Sequence, residues 1–340
     1  MTIRYYLVRR LALVAFVVLG ISVITFAVAR VIPTDPAVVY AGPMARGPAL
    51  EEARRILKLD RPLYEQYLSY MSGLVKGDWG TSLRTKRPVL GDMMLFLPVT
   101  LQLVIISMLI AIPAGIGLGA LTAERKGKLI DFVMRIFAVG GVSLPSFFIA
   151  LVFQVLFFRI LNLFPVANML SIETMQNNPI HPVTHMPLVD ALITGNFSAL
   201  TESLRYLVLP VLALAAYPTG VVMRMTRSAM LESMEQDYIR MARAMGVPGR
   251  VIVYRYALKN ALAPVLTVTG LLFAYSIIGA FFIELIFNWP GIGRYATDAM
   301  LALDYPAIMG VTLLVALVYV FVNLAVDLML VWIDPRVVLN

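Results

Sequence analysis

The fold is decided by an uncharged stretch, MMLFLPVTLQLVIISMLIAIPAGIGLGALTA, which occupies residues 93–123. A helix needs about 20 apolar residues to cross roughly 30 Å of hydrocarbon at about 1.5 Å per residue, and this stretch is longer. Because Pro98 suits a first helical turn, we expect the helix itself to start near Leu97. Similar charge-free stretches lie at residues 11–29, 136–158, 206–223, 260–283 and 305–326. The sequence therefore predicts six membrane-spanning helices and an all-α fold.

The overall composition leads to the same class of protein. Of the 340 residues, 60% are hydrophobic and 14% are charged, whereas soluble domains carry about 25% charged residues. An ordinary soluble protein is excluded, and so is a disordered chain, which would combine low hydrophobicity with high charge. The sequence contains no cysteine and only two histidines, His181 and His185, in a proline-rich segment. We therefore expect no metal site.

The distribution of basic residues predicts the orientation. Short cytoplasmic loops are enriched in Lys and Arg. With both termini in the cytoplasm, 15 of the 28 basic residues fall in cytoplasmic segments and three in the two short outer loops. The net charge of +8 is thus mainly topological, and we expect no nucleic-acid partner. The first apolar stretch is too long for a cleaved signal peptide, so we interpret residues 1–32 as a membrane-anchoring helix.

The rest of the chain divides accordingly. Residues 33–96 form a long extracytoplasmic loop with short helices at 51–58 and 62–74, and residues 162–203 form an irregular outer cap. Residues 97–333 form the transmembrane core, and residues 334–340 form a cytoplasmic tail. Within the core we expect helices at about 97–123, 132–158, 206–223, 264–286 and 306–333.

The core contains a polar cytoplasmic segment, residues 224–263. Residues 227–245 lack Gly and Pro, which favours a helix. Gly246 and Pro248 then form a helix stop signal, and a second helix is expected over 250–262. The segment is predicted to project from the membrane as a helix, a tight turn and a helix.

This segment also carries a recognisable motif. The run Asp237-Tyr238-Ile239-Arg240-Met241-Ala242-Arg243-Ala244-Met245-Gly246, followed by Asn260-Ala261-Leu262-Ala263-Pro264, resembles the coupling loop of ABC importer permeases. Arg240 and Met241 replace the Glu and Ala of the general pattern, as in the dipeptide, oligopeptide and nickel branch. Further runs resemble that branch in the same order along the chain: residues 32–36, 59–63, 77–82, 97–101, 224–228 and 287–294. The long first outer loop is similar to that of the branch's first permease subunit.

The resemblance implies a type I ABC importer permease: one half of a translocation pathway for peptides across a bacterial or archaeal cytoplasmic (inner) membrane. It implies a second homologous permease, two ABC ATPase subunits and an extracytoplasmic substrate-binding protein as partners. ATP and magnesium would be bound by the ATPases, and this chain would bind no cofactor and be no enzyme. The residues implied for ATPase coupling are Asp237, Tyr238, Arg240, Ala242, Arg243, Ala244 and Gly246, and those facing the binding protein are Asp78, Trp79, Trp289 and Arg294.

The spans themselves contain few polar candidates. Ionisable groups inside a membrane are costly and often functional. Glu284, Asn323 and Asp327 are therefore candidates for the pathway or for polar contacts within the bundle, although Glu284 lies near a span end where it could reach water. Gly115, Gly117 and Ala120 match a dinucleotide-binding pattern, but inside a span Gly115 and Gly119 favour close helix packing.

An alternative function remains open at this stage, namely a secondary transporter or channel that works without ATPase subunits. The polar cytoplasmic segment disfavours it.

Overall fold

A computed structural model describes residues 3–31, 36–42 and 44–333, and over these residues the regular structure is helical apart from one isolated bridge between Thr81 and Pro88. The α-helices are α1 (Ile3–Val31), α2 (Pro36–Ala41), α3 (Pro48–Ile56), α4 (Leu63–Val75), α5 (Val89–Glu124), α6 (Leu129–Ser143), α7 (Ser146–Phe153), α8 (Ile172–Asn177), α9 (Pro187–Ile193), α10 (Phe197–Met234), α11 (Asp237–Ala244), α12 (Gly249–Val251), α13 (Leu258–Ile286), α14 (Ile292–Leu301) and α15 (Tyr305–Ile333). Two π-helical segments, Gln154–Ile160 and Ile252–Ala257, follow α7 and α12.

Some of these helices could cross a membrane. Within the described residues, five helical stretches are long and apolar enough to span a membrane: Ala12–Ala29, Val89–Glu124, Phe197–Met234, Gly249–Ile286 and Tyr305–Ala325. A sixth candidate is the pair Leu129–Ser143 and Ser146–Ile160, which is bent by 112°. The protein is therefore a multi-pass membrane protein.

The chain forms two compact units. Among the described residues, the first contains those up to Pro98 and Pro290–Leu324, and the second contains Val99–Trp289 together with the remainder of α15 from Ala325. In the first unit, α1 packs near its C-terminal end, where Phe26 and Ala29 contact Tyr305 and Met309 of α15. In the second unit, α10 is central and packs against α6, α7, α9 and α13. The tail at 334–340 and the residues Ile32 to Asp35 of the first family-like run lie outside the described residues.

Helix α5 starts two turns before the position that the sequence suggests. It begins at Val89, so Pro98 lies inside the helix and not in its first turn. The added turns bury Val89 and Met93, which are 0% and 1% exposed, and Asp92 stands in the first turn, where a negative charge suits the helix dipole. Burial of these side chains outweighs the hydrogen bond that Pro98 cannot donate.

The span expected at 132–158 is broken. Leu144 has the extended conformation (φ −86°, ψ 133°) because the following Pro145 disfavours helical geometry in the residue before it. Beyond α7 the helix widens into the π-helical segment, where the Gln154 amide donates a 3.0 Å hydrogen bond to the carbonyl of Ile286. That bond satisfies the last carbonyl of α13. The outer cap expected to be irregular contains two short helices, α8 and α9.

The expected close packing at Gly115 and Gly119 is confirmed. A Cβ at Gly115 would lie 2.7 Å from the Val222 side chain, and one at Gly119 would lie 2.7 Å from the Met223 carbonyl oxygen. On the other side of α10, a Cβ at Gly220 would lie 2.7 Å from the Ala138 carbonyl oxygen. Helix α10 thus approaches both α5 and α6 at distances that only glycine allows.

This packing predicts that Gly119→Ala destabilises the protein. The added methyl group would meet backbone and the Thr226 side chain, and overpacking of this kind costs about 1–3 kcal/mol. We expect a lower unfolding temperature for the detergent-purified protein. Gly117→Ala is the matched control, since a Cβ there meets nothing within 4 Å. Equal unfolding temperatures for the two variants would contradict the packing argument.

Candidate functional site

Helix α11 is a short amphipathic helix held against the ends of longer helices. The sequence predicts one helix over 227–245, but α10 ends at Met234 and α11 starts only at Asp237. The break arises at Gln236, which is extended (φ −72°, ψ 153°). Asp237 in the first turn and Arg243 in the last turn both match the helix dipole. The break turns the apolar face of α11 toward the bundle.

The inner face of α11 consists of Ile239 and Ala242, which are 0% and 8% exposed. Their spacing of three residues places them on one side of the helix. They belong to a buried cluster that draws residues from α5, α10 and the segment leading into α13: Ala120, Ala123, Met230, Ile252, Ala257 and Ala261. Small residues dominate this cluster, so α11 lies close to the neighbouring backbones.

The C-terminal end of α11 is fixed by Gly246. Its φ of +77° is a left-handed conformation that costs other L-residues about 1–2 kcal/mol. The Gly246 amide donates to the Arg243 carbonyl at 3.0 Å, and the Val247 amide donates to the Ala242 carbonyl at 3.1 Å. These two bonds form a Schellman motif, which ends the helix and directs the chain back toward α12. The predicted helix stop at Gly246 is therefore confirmed.

Tyr238 ties α11 to two other helices. Its hydroxyl shares a 2.5 Å hydrogen bond with Ser233 Oγ in α10 and accepts a 2.8 Å bond from the Asn260 amide in α13. The Tyr254 hydroxyl donates a 2.8 Å bond to Glu124 at the end of α5. Polar contacts therefore connect α11 and the segment after it to the ends of three long helices.

The outer face of α11 is exposed and mixed in character. Met241 and Met245 are 60% and 68% exposed, and Arg240, Arg243 and Ala244 are also exposed. Arg240 lies 3.1 Å from Asp237, with both side chains largely in solvent, so this ion pair contributes little to stability. Exposed methionines adapt to varied partner surfaces, and the arginines supply hydrogen-bond donors. The structure thus brings the sequence-predicted coupling residues together on one small helix.

A buried ion cluster next to this site was not found by sequence analysis. Asp131, 1% exposed, accepts two hydrogen bonds from the Arg227 guanidinium, at 2.9 Å and 3.0 Å, and a third from the Gly127 amide at 3.0 Å. Arg135 lies 3.4 Å from the same carboxylate. The cluster joins the start of α6 to α10. The signal for this cluster that the sequence contained was a single aspartate within a segment rich in Lys and Arg.

The polar span candidates occupy different surroundings. Glu284 does not reach water as expected from its position, because its side chain is 0% exposed and accepts a 2.5 Å hydrogen bond from Thr100 Oγ1 in α5. Glu284 therefore connects helices within the bundle. Asn323 is half-buried in α15, and the side chain of Asp327 lies outside the described part of the chain.

The residues expected to face a binding protein differ in their exposure. Trp289 is 1% exposed, so it offers no surface to a soluble partner, and this expectation is corrected. Its backbone is held in the turn that ends α13, where the Trp289 amide donates a 2.8 Å bond to the Glu284 carbonyl. Asp78 is exposed and accepts a 3.0 Å bond from the Gly80 amide, Trp79 is half-buried, and Arg294 lines an open cleft.

Long apolar helices that carry a small helix with an exposed outer face define a multi-pass membrane protein. Comparison with known proteins specifies the family. The family described as the binding-protein-dependent transport system inner membrane component matches residues 115–339, and its N-terminal family matches residues 3–104. The chain belongs to this family. It is therefore a permease subunit of an ABC importer, whose ATP hydrolysis takes place in separate subunits.

Three relatives are similar over nearly the whole chain. The probable D,D-dipeptide transport system permease protein of Escherichia coli strain K12 is 45% identical over 94% of each chain. The dipeptide transport system permease protein of Alkalihalophilus pseudofirmus is 39% identical over 98% of each chain. The di/tripeptide transport system permease protein of Pseudomonas aeruginosa is 38% identical, also over 98% of each.

The ion cluster predicts that Asp131→Asn destabilises the protein markedly. Removing one partner of a buried pair costs about 3–5 kcal/mol, and we expect a loss near the lower end because the Arg227 side chain is 20% exposed. The unfolding temperature of the purified protein measures it. Arg135→Gln is the control, since that side chain is 50% exposed and its ion pair is worth at most about 1 kcal/mol. A larger effect in the control would refute the assignment.

Proposed function

We propose that this chain forms half of the translocation pathway of an ATP-driven importer of small peptides in the cytoplasmic membrane. The peptide substrate is supported by the names of the relatives, which describe dipeptide and di/tripeptide transport. The coupling role is supported by one observation above all: α11 buries one face in the bundle and leaves the other, with Met241 and Met245, free for a partner.

The ion pair between Asp131 and Arg227 supports the proposed orientation. Residues in contact lie at the same depth in a membrane, so the chain must cross it an even number of times between them. Helix α10 supplies one crossing before Arg227, and the bent pair of α6 and α7 must supply the other. The total is then six, with both termini on one side. The arginines of the α11 segment support the cytoplasm as that side, because short cytoplasmic loops are enriched in Lys and Arg.

In this orientation α11 is the element that receives force from the ATPases. Closure of an ATPase pair would displace α11, and its hydrogen bonds through Tyr238 would carry the displacement to α10 and α13. The close contacts between α5, α6 and α10 resist local deformation, so the helices would move as rigid bodies between two packings. This movement would switch the pathway between inward-facing and outward-facing states.

The proposed assembly contains four further kinds of contact. A second homologous permease completes the pathway, two ABC ATPases bind ATP and magnesium, a substrate-binding protein delivers peptide from outside, and lipid surrounds the spans. This chain would bind no cofactor. On the outer side, Asp78, Trp79 and Arg294 remain available to the binding protein. A transporter acting without ATPases, the alternative, would have no use for the exposed face of α11.

Gly246→Leu is expected to abolish ATP-driven uptake while the protein still inserts into the membrane. A Cβ at this position meets no atom within 4 Å, so the defect would come from the left-handed backbone and not from a clash. Gly246→Asn is the control, because Asn tolerates that conformation, and it should retain most uptake. Peptide uptake into proteoliposomes is measured for both variants. Normal uptake by Gly246→Leu would contradict the assignment of α11 as the coupling helix.

Met241→Glu is expected to reduce co-purification of the ATPase subunits at least about tenfold, because burying an unpaired carboxylate in an interface is costly. Mass spectrometry of the partner chains provides the measurement. Met175→Glu in α8, where the methionine is 42% exposed, is the control and lies on the proposed outer side. Retention of the ATPases by Met241→Glu, or equal loss in the control, would contradict the docking role.

A further inference from the structure

An arginine-lined cleft of about 420 Å³ lies in the first unit, apart from the coupling site. It opens between the turn that precedes α5 and the helix α14. Three arginines and one aspartate provide its charged groups, and the aromatic rings of Phe96 and Tyr295 provide apolar surface. The lining residues are Arg84, Thr85, Arg87, Phe96, Pro290, Gly291, Arg294, Tyr295 and Asp298.

The turn that carries Arg84 and Arg87 is held by two buried carboxylates. Asp304, 1% exposed, accepts hydrogen bonds from the Ser82 hydroxyl and from the Arg84 amide at 3.1 Å. Asp92, 2% exposed, accepts a 2.6 Å bond from the Thr85 hydroxyl. The Ser82 amide closes the turn by donating to the Arg87 carbonyl at 2.9 Å. The backbone that carries the side chains of Arg84 and Arg87 is therefore held in place.

The guanidinium groups of Arg84 and Arg87 both have N–H donors that remain for a ligand. Arg84 contacts Asp298 through one terminal nitrogen at 2.9 Å, and Arg87 contacts Asp92 through Nε at 2.9 Å. Each guanidinium carries five N–H groups, so most of them are uncommitted within the described residues. The side chains are 46% and 56% exposed. Arginine with free donors in a fork binds carboxylates in a bidentate manner.

The floor of the cleft is apolar and uncharged. The Phe96 and Tyr295 rings stack with centroids 5.2 Å apart. Burial, reinforced by the negative charges of Asp92 and Asp304, raises the pKa of Tyr295 well above its ordinary value. The phenol stays protonated at neutral pH, as an ordinary tyrosine would, so the ring itself adds no negative charge to the cleft.

We propose that this cleft binds the C-terminal carboxylate of the transported peptide, with Arg84 and Arg87 as ligands and the Phe96–Tyr295 floor against the terminal side chain. The proposal rests on the proposed function, which places the cleft on the outer side and makes peptides the substrate. The permease would then recognise the free C-terminus of the peptide independently of the binding protein.

Size and chemistry favour a small ligand over a protein side chain or a lipid. The cleft volume lies within the range of about 300–1,000 Å³ typical of small-molecule sites. It combines guanidinium donors with an aromatic surface, as a terminal residue with its carboxylate requires. Asp298 is the aspartate among the lining residues, and a zwitterionic peptide can tolerate it through its own ammonium group.

The direct test measures peptide binding to the complete importer in nanodiscs without its binding protein. Saturation-transfer NMR would compare dialanine with alanyl-alanine amide, which lacks the carboxylate. We expect dialanine to bind the wild type and the amide to bind at least about tenfold more weakly. The double variant Arg84→Lys, Arg87→Lys keeps both ion pairs but loses the forks, so its dialanine Kd should rise about tenfold.

Lys86→Gln is the matched control, because Lys86 is on the same turn but lies over the Tyr40 ring and outside the cleft. It should bind dialanine like the wild type. Equal affinity of the wild type for dialanine and the amide, or an unchanged Kd in the double variant, would overturn the proposal. So would a binding change that appears only in nanodiscs with anionic lipid, since the cleft would then serve a phospholipid phosphate.

Uptake into proteoliposomes with the binding protein present separates the remaining outcomes. If uptake of dialanine and of its amide falls by the same factor in the double variant, the arginines serve an acidic side chain of the binding protein and the proposal fails. If the wild-type importer takes up neither dialanine nor trialanine, the proposed function fails instead. The expected result is a selective loss of dialanine uptake.

Discussion

Helix α10 is approached on two sides at distances that leave no room for a side chain, and the second unit depends on this constraint. Glycines in α5 and a glycine in α10 itself allow backbone to lie against backbone. Lipid offers no hydrophobic gain for bringing helices together, so dispersion contacts of this kind are what hold them. The same closeness makes α10 a stiff element that cannot shift without its neighbours.

Helix α11, the proposed coupling helix, takes its position from this core. Its buried face uses alanines of α5 and a methionine of α10, and its hydroxyl contacts reach α10 and α13. Only the remaining face is free, and that face carries the methionines and arginines. In the proposed role, docking and transmission would use opposite sides of these eight residues.

The sequence was sufficient for features set by local chemistry and insufficient for those set by tertiary contacts. Charge-free length predicted the spans, and Gly246 predicted the helix stop, because lipid and backbone torsions act on few residues. Pro98 misled the prediction for α5, since distant burial of Val89 and Met93 decides where that helix begins. The burial of Glu284 and Trp289 and the pairing of Asp131 with Arg227 all depend on residues that only the fold brings together.

The pairing of Asp131 with Arg227 also has a consequence for biosynthesis. The two residues are 96 positions apart, and at about 5–20 residues per second a ribosome needs roughly 5–20 s to add that length of chain. During this interval Arg135, one turn away on the same helix, is the ion-pair partner that the carboxylate already has. Until α10 is made, helix α6 holds its acid without the Arg227 guanidinium. The local arginine can serve as a temporary counterion for a helix that is inserted before its permanent one exists.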